Sequence, residues 1–278
     1  MSPSLSSPWQ LDPAVAALAL AACALFLQGW LRLRRRGRTE DASVWRLCLF
    51  GLGVVAGVLP LASPLDALSD RYLLSAHMLE HVLLGDVSPA LLVLAVRGPL
   101  TVFILPPAIL RPLARSDGLR RVLAVILRPA VSVALWAVVM AAWHLPAAYD
   151  AALRSQRVHD LEHASFFVVG MLVWVQLIDP THRLDLRTRL ATALGLFAAG
   201  QTMSDVLVFS FHAYYGPYAA QPHRVFGLSP LADQRAAGLV MMAEQLLTAG
   251  TCVVVLLLAL RNRARRLSPA RAARRELV

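Results

Sequence analysis

Long apolar segments dominate this sequence and restrict what it can fold into. Crossing the hydrocarbon core of a bilayer as a helix takes about 20 apolar residues. Seven segments of that kind lie at 11–31, 44–62, 72–96, 129–148, 158–178, 190–212 and 237–260. With 58% hydrophobic and 16% charged residues, the chain has more apolar surface than a soluble domain of its length could bury. The sequence therefore predicts an all-α, polytopic membrane bundle with seven transmembrane helices.

The arginines predict how this bundle is oriented. All 27 basic residues of the chain are arginine. Twenty-two of them lie in or beside the connections after the first, third and fifth segments, or in the C-terminal tail. The opposite side has only Arg71, Arg154, Arg157, Arg224 and Arg235. Because basic residues are enriched on the cytoplasmic side of membrane proteins, we expect the N-terminus outside and the C-terminus inside.

The same clustering accounts for the net charge of +10, so nucleic acid is not an expected partner. Residues 1–262 are predicted to form the seven-helix transmembrane domain. Residues 263–278 are predicted to be a basic, disordered cytoplasmic tail that is attracted to anionic membrane lipid. The inner connection, residues 97–128, is expected to be a topology-setting loop. An amphipathic segment lying along the membrane surface is the alternative interpretation of that connection.

A five-residue pattern, His-x-x-Glu-His, occurs at the start of the third apolar segment and again at the start of the fifth. The two copies are His77–His81 and His159–His163. Residues three and four apart lie on one face of a helix, so each copy can present two imidazoles beside the carboxylate of Glu80 or Glu162. Placing an ionisable side chain inside a membrane costs free energy, so such residues usually have a function. We therefore expect a functional site between these two helices.

Other polar side chains are expected at the same membrane face. His144 ends the fourth segment, His212 ends the sixth and His223 lies in an outer loop, whereas His182 lies inside. The prediction is one outward-facing metal site. Its predicted ligands are His77, His81, His159 and His163, with His144 nearby. The predicted secondary contributors are Glu80, Glu162, Met78, His212, Asp205, Met241 and Glu244.

These residue types do not identify the metal by themselves. Imidazole suits zinc, copper, iron and nickel. The thioethers of Met78, Met203, Met241 and Met242 favour copper slightly, because soft sulfur ligands select Cu(I). Zinc and haem stay open as alternatives to copper.

Several blocks around these histidines resemble a known family in their order and spacing, over about residues 60–245. The blocks are Leu65–Asp70, Leu74–His81, Trp143–Pro146, Tyr149–Leu153, His159–Phe167 and Leu228–Gln234, followed by Gly238 and Met241. They are similar to the signature blocks of the seven-span bacterial CtaG family, whose members are cytochrome c oxidase assembly factors.

This resemblance implies a non-enzymatic role in maturing a haem-copper oxidase in the bacterial cytoplasmic membrane. It implies that the protein handles copper for the catalytic subunit of that oxidase. An extracytoplasmic copper chaperone is a further expected partner, and membrane lipid is the expected surrounding.

Two other function classes fit parts of the pattern. An intramembrane zinc hydrolase is one alternative, because His-x-x-Glu-His on a helix also matches a zinc-enzyme signature with two ligating histidines and a glutamate base. A haem-binding membrane electron carrier is the other, because histidines on facing helices can be axial haem ligands.

Overall fold

Helices make up all the regular structure that is described for this chain. The computed structural model describes residues 9–179, 181 and 183–275, with side chains as far as Arg266. The helices are α1 (Pro13–Arg35), α2 (Val44–Ala62), α3 (Pro64–Arg71), α4 (Leu74–Val82), α5 (Ser88–Ala95), α6 (Leu100–Phe103), α7 (Pro107–Arg115), α8 (Asp117–Ile126), α9 (Pro129–Trp143), α10 (Pro146–Arg154), α11 (Gln156–Ile178), α12 (Leu186–Val208), α13 (Gly216–Ala219), α14 (Pro230–Gln245) and α15 (Thr251–Arg275). The all-α prediction is confirmed.

Two of the spanning helices contain a short π-helical segment. Leu83–Val87 joins α4 to α5, so that one span runs over Leu74–Ala95. Leu246–Gly250 joins α14 to α15 in the same way. A short 3₁₀ turn, Val225–Gly227, precedes α14. Extra backbone residues of this kind inside a helix are frequent at functional sites.

Six helical spans among the described residues are long and apolar enough to cross a membrane. Two of them are the pairs α4 with α5 and α14 with α15, each joined by its π-helical segment. A seventh is reached if α8 and α9, which meet at a bend of 76°, count as one span. The protein is thus a multi-pass membrane protein. By itself α9 has 15 residues, and its length of about 22 Å falls short of a hydrocarbon core of about 30 Å.

Some predicted boundaries were wrong, and local sequence explains the differences. The fourth segment was predicted to reach residue 148, but its helix ends at Trp143 because Pro146 begins a new helix, α10. The sixth begins earlier than predicted, since Asp185 caps α12 by accepting hydrogen bonds from the backbone N–H groups of Arg187 and Thr188. The tail predicted to be disordered is helical as far as Arg275.

The connection over residues 97–128 contains three helices, α6, α7 and α8. Apolar residues of α7 and α8 such as Ile109, Leu113 and Val122 are exposed, and the same two helices carry four exposed arginines. This pattern is typical of helices that lie along a membrane surface.

The third and fifth spans lie at the centre of the bundle. Sixty-one per cent of the most apolar part of Leu74–Ala95 and 50% of that of α11 are buried, against 11% for α1. The backbones of these two spans meet at Gly85 and Gly170, where a Cβ added to Gly170 would overlap the carbonyl oxygen of Gly85. The two helices that carry the histidine pairs are therefore packed directly against each other.

Candidate metal centre

The four histidines of the two repeated patterns meet in one group. His77 and His81 lie on α4, and His159 and His163 lie on α11. All four are buried, with 8% exposure or less. One ring nitrogen of each lies within 4.8 Å of those of the other three. Ligands of one ion with metal–nitrogen bonds of about 2.0–2.1 Å lie roughly 3–4 Å apart, so small side-chain movements would complete a metal site.

Both histidine pairs lie in the first turns of helices that begin at the same end of the bundle, the histidine end. Asp233 of α14 fixes the start of α4. It accepts hydrogen bonds from the backbone N–H groups of Leu74 at 2.7 Å and Ser75 at 3.1 Å, and from the Ser75 hydroxyl at 2.6 Å. These bonds satisfy N–H groups that a helix start leaves without intrahelical partners. The start of α4, and with it His77, is thus held in place by a residue of α14.

We expect Asp233→Asn to lower the stability of the protein by about 1–3 kcal/mol, because an amide keeps only one of the two acceptor oxygens that bind Leu74 and Ser75. Thermal unfolding of the detergent-solubilised protein measures the change. Asp117→Asn is the matched control, since Asp117 forms an exposed ion pair with Arg120 and exposed pairs contribute little. Equal melting temperatures for both variants would contradict this role of Asp233.

Each helix places its carboxylate beside a histidine of the other helix. Glu162 Oε1 lies 3.9 Å from His81 Nε2, and Glu80 Oε1 lies 3.5 Å from His163 Nε2. Asp70 of α3 adds a third contact, with its Oδ1 3.7 Å from the Nε2 of His159. These distances are longer than hydrogen bonds and match the separation of two ligands on one ion. The two patterns therefore form one shared site with reciprocal pairing.

Several buried polar atoms around this group have no hydrogen-bond partner among the described residues. They are Asp70 Oδ1, Glu80 Oε1, His81 Nδ1, His159 Nε2, both carboxylate oxygens of Glu162, and His163 Nε2. Buried polar atoms in folded proteins are nearly always paired, with protein, water or an ion. A cation bound among these nitrogens and oxygens would pair most of them at once. The donor set present here fits a metal ion.

The protonation of His77 follows from its neighbours. The hydroxyl of Tyr218 donates to the backbone carbonyl of Ser69 at 2.5 Å, so its oxygen accepts from His77 Nδ1, 3.0 Å away. The Nε2 of His77 then carries a lone pair and lies 2.8 Å from the Nε2 of His81. This lone pair can accept a hydrogen bond from His81 Nε2 or, with His81 as its other tautomer, share a cation with it. A hydrogen bond of this type, made by the ring nitrogen that does not bind the metal, orients a ligating histidine.

Sequence reasoning missed the residues that support the histidines. Ser69 donates to Glu80 Oε2 at 2.6 Å, and Tyr218 holds His77 although it is 141 residues away. The ring of Tyr149 packs against His77, with ring centroids 5.1 Å apart. No pattern in the sequence links these positions, because they come together through α3, α10 and α13. The sequence blocks that resemble the known family include Ser69 and Tyr149, and this was the signal that pointed to those two residues.

Acidic side chains of α3 lie at the histidine end, outside the spanning helices. Burial raises the pKa of the Asp66 carboxyl, and the nearby Asp70 raises it further. Burial also raises the pKa of Asp70 to about 6, against the opposing charge of Arg71. A cation bound beside Asp70 would favour its ionised form and would reverse this shift.

The remaining predicted site residues lie outside the four-histidine group. His144 hydrogen-bonds the carbonyl of Met140 and lines a cavity together with His81, whereas His212 is exposed. Asp205 accepts a hydrogen bond from Gln201, and Glu244 contacts Gln245 and Thr248. Met78 and Met241 line a cavity further along α4. His182 is not among the described residues.

Fold and site together define a multi-spanning helical membrane protein with a buried four-histidine group at one end of its bundle. A family model described as cytochrome c oxidase caa3 assembly factor (CtaG) matches residues 24–263. The chain belongs to this family, and the resemblance seen in the sequence is confirmed. Comparisons with curated proteins and with solved structures gave no match.

Proposed function

We propose that this oxidase assembly factor binds copper at the four histidines and passes it to the catalytic subunit of the oxidase. The observation that supports this most directly is the convergence of His77, His81, His159 and His163, with their ring nitrogens within 4.8 Å of one another. Copper is cargo in this proposal, and the protein performs no covalent chemistry on it.

Copper is favoured over other imidazole-binding metals because a haem-copper oxidase needs copper for its catalytic subunit. The direct packing of the imidazoles argues against haem. Ring centroids lie 4.2 Å apart for His77 and His81, 4.0 Å for His159 and His163, and 5.2 Å for His77 and His159. A porphyrin between axial ligands would need these rings to separate.

The pairing of carboxylates argues against a zinc hydrolase. In the enzyme signature, the two histidines and the glutamate base of one pattern act together on one zinc. Here Glu80 faces His163 and Glu162 faces His81, each on the opposite helix. The geometry therefore favours one shared binding site over two catalytic patterns.

The proposed orientation places the histidine end on the outer side of the bacterial cytoplasmic membrane. Arginines bind backbone carbonyls at the opposite end, where Arg189 contacts Leu177 and Arg32 contacts Phe103, in agreement with the positive-inside rule. Asp66, Asp70 and Asp150 lie at the histidine end, and acidic groups near an entrance concentrate cations. We propose that copper arrives there from an extracytoplasmic chaperone.

The metal content of the oxidase tests this function. In a strain lacking the assembly factor, we expect the oxidase catalytic subunit to be isolated with haem but with its copper content reduced severalfold. Excess copper in the medium should restore part of the activity. Catalytic subunit that contains its full copper yet is inactive would contradict the proposal and would favour a role in folding of the subunit.

We expect Glu162→Gln to weaken copper binding by about 10- to 100-fold, the usual effect of removing a carboxylate that supports a metal-ligating histidine. Glu80→Gln should act similarly, because each carboxylate faces a histidine of the opposite helix. Competition with a chromophoric copper chelator measures the affinity. Asp160→Asn is the matched control, since Asp160 lies on α11 within the same pattern but is exposed. An unchanged affinity in both glutamate variants would contradict this role.

A further inference from the structure

A group of soft side chains lines a cavity that adjoins the four-histidine group and extends further along the span that begins with α4. The cavity has a volume of about 40 Å³, which is enough for an ion or a water molecule. Four of the seven methionines lie in its wall, and they come from α4, α9, α12 and α14. These are Met78, Met140, Met203 and Met241. Only the folded bundle brings these four methionines to one cavity.

His144 lines the same cavity and has one ring nitrogen without a hydrogen-bond partner among the described residues. Its Nδ1 lies 2.8 Å from the carbonyl oxygen of Met140, and a carbonyl can only accept, so Nδ1 carries the proton. The lone pair is therefore on Nε2, which is buried and has no hydrogen-bond partner in the described part of the chain. A neutral imidazole whose tautomer is fixed in this way is prepared to bind a metal.

Carboxyl groups border the cavity as well. Asp86 and Glu244 both line it, and the amide nitrogen of Gln245 lies 3.5 Å from Asp86 Oδ2 and 3.0 Å from Glu244 Oε2. The indole N–H of Trp174 donates to Asp86. A cation inside a membrane bundle is costly unless an opposite charge lies near it. These carboxyl groups can supply that charge.

The π-helical segments of both spans lie beside this cavity. Gly85 and Asp86, which line it, belong to the segment Leu83–Val87. Gln245, which also lines it, immediately precedes the segment Leu246–Gly250. Such segments change the direction in which side chains point and are frequent at functional sites. The π-helical segments therefore lie beside the same cavity that the methionines and His144 line.

We propose that this cavity is a second metal site, selective for Cu(I) or a similarly soft monovalent ion, with thioether sulfurs and the Nε2 of His144 as ligands. Soft thioether ligands select Cu(I) over hard cations. His81 lines the cavity and also belongs to the four-histidine group, so the two sites share a wall. The inference does not depend on which metal the four histidines bind.

Ag(I) is the probe for this site, because it is soft and monovalent and does not change oxidation state. Wild type and variants alike carry Cys23, Cys48 and Cys252 replaced by alanine, so that no free thiol competes for Ag(I). Binding to the purified, detergent-solubilised protein is measured by calorimetry, and the neighbours of Ag(I) by X-ray absorption. The test variant combines Met203→Leu with Met241→Leu, which keeps side-chain volume nearly constant. We expect wild-type protein to bind Ag(I) with sulfur neighbours, and the double variant to bind it at least tenfold more weakly. Met242→Leu is the matched control and should bind Ag(I) as wild type does.

Two results would overturn the proposal. One is Ag(I) bound equally by the wild type and the double variant. The other is a wild-type protein in which Ag(I) has no sulfur neighbours, as expected if the cavity holds only water. A variant with His77→Ala and His159→Ala separates this site from the first, because it should keep its sulfur-bound Ag(I). Failure of the four histidines to bind copper would leave that result unchanged.

Discussion

Replacing His77 and His159 together by alanine is expected to abolish copper binding at the four-histidine group and to leave the cell without active oxidase. The change removes one imidazole from each helix, so neither helix keeps its pair. Loss of two of four ligands should lower copper affinity by more than the roughly hundredfold effect of losing a supporting residue. X-ray absorption of the bound copper, which distinguishes imidazole nitrogen from sulfur neighbours, and oxidase activity in membranes of the complemented strain are the two measurements.

Exposed histidines are the matched controls for this variant. His212 and His223 lie at the surface, outside the four-histidine group. Replacing both by alanine should leave copper content and oxidase activity at the wild-type level. If the variant at His77 and His159 matured the oxidase as well as these controls do, the four histidines would not be the site of function.

Gly170→Ala is expected to have the largest effect on stability. A Cβ at this position would overlap the carbonyl oxygen of Gly85, which belongs to backbone and cannot move aside as a flexible side chain can. The third and fifth spans would have to separate, and we expect a loss of about 3 kcal/mol or more. The separation would also move His77 and His81 away from His159 and His163. Thermal unfolding and copper affinity should therefore fall together.

Gly51 provides the control for this glycine. It lies in α2, another spanning helix, and a Cβ added there meets nothing within 4 Å. Gly51→Ala should be neutral or stabilising by up to about 1 kcal/mol, because alanine is the better helix former. A Gly170→Ala protein that melts at the same temperature as Gly51→Ala would show that the two spans do not need this close approach.

Much of the fold was predictable from the sequence, because spanning helices depend on local apolar length. The second predicted segment, 44–62, coincides with α2, and the third, 72–96, differs from Leu74–Ala95 by one or two residues at each end. Where the prediction failed, a helix-breaking residue outweighed the pattern of apolar residues. Apolar residues continue past Trp143, but the proline at position 146 begins a new helix there. Hydropathy averages over such a break.

The histidine pairs were predictable from helical spacing, since residues four apart share a face. Their meeting across α4 and α11 was an expectation that needed the tertiary fold. The reciprocal contacts of Glu80 with His163 and of Glu162 with His81 had no sequence signal, because pattern spacing describes one helix at a time. The same limit explains why Tyr218 was missed.

Similar membrane depth does not by itself predict which side chains meet in one group. His144 and His212 were placed with the four histidines because all of them end or begin spans on one side. Depth leaves open which way a side chain points around the helix axis. His144 follows α9 and lines the neighbouring cavity with Met140, and His212 follows α12 at an exposed position. Among the described histidines, His77, His81, His159 and His163 form the four-histidine group, and His144 and His212 lie outside it.

The metal content and metal environment of the purified wild-type protein test the central claim most directly. Elemental analysis, a visible spectrum and X-ray absorption can be recorded on one copper-treated sample. The expected result is bound copper with imidazole nitrogens at about 2.0 Å, the usual length of such bonds, and loss of that signal in the variant at His77 and His159. Protein that binds no copper under either reducing or oxidising conditions, or that shows a haem Soret band instead, would contradict a copper-binding role for the four histidines.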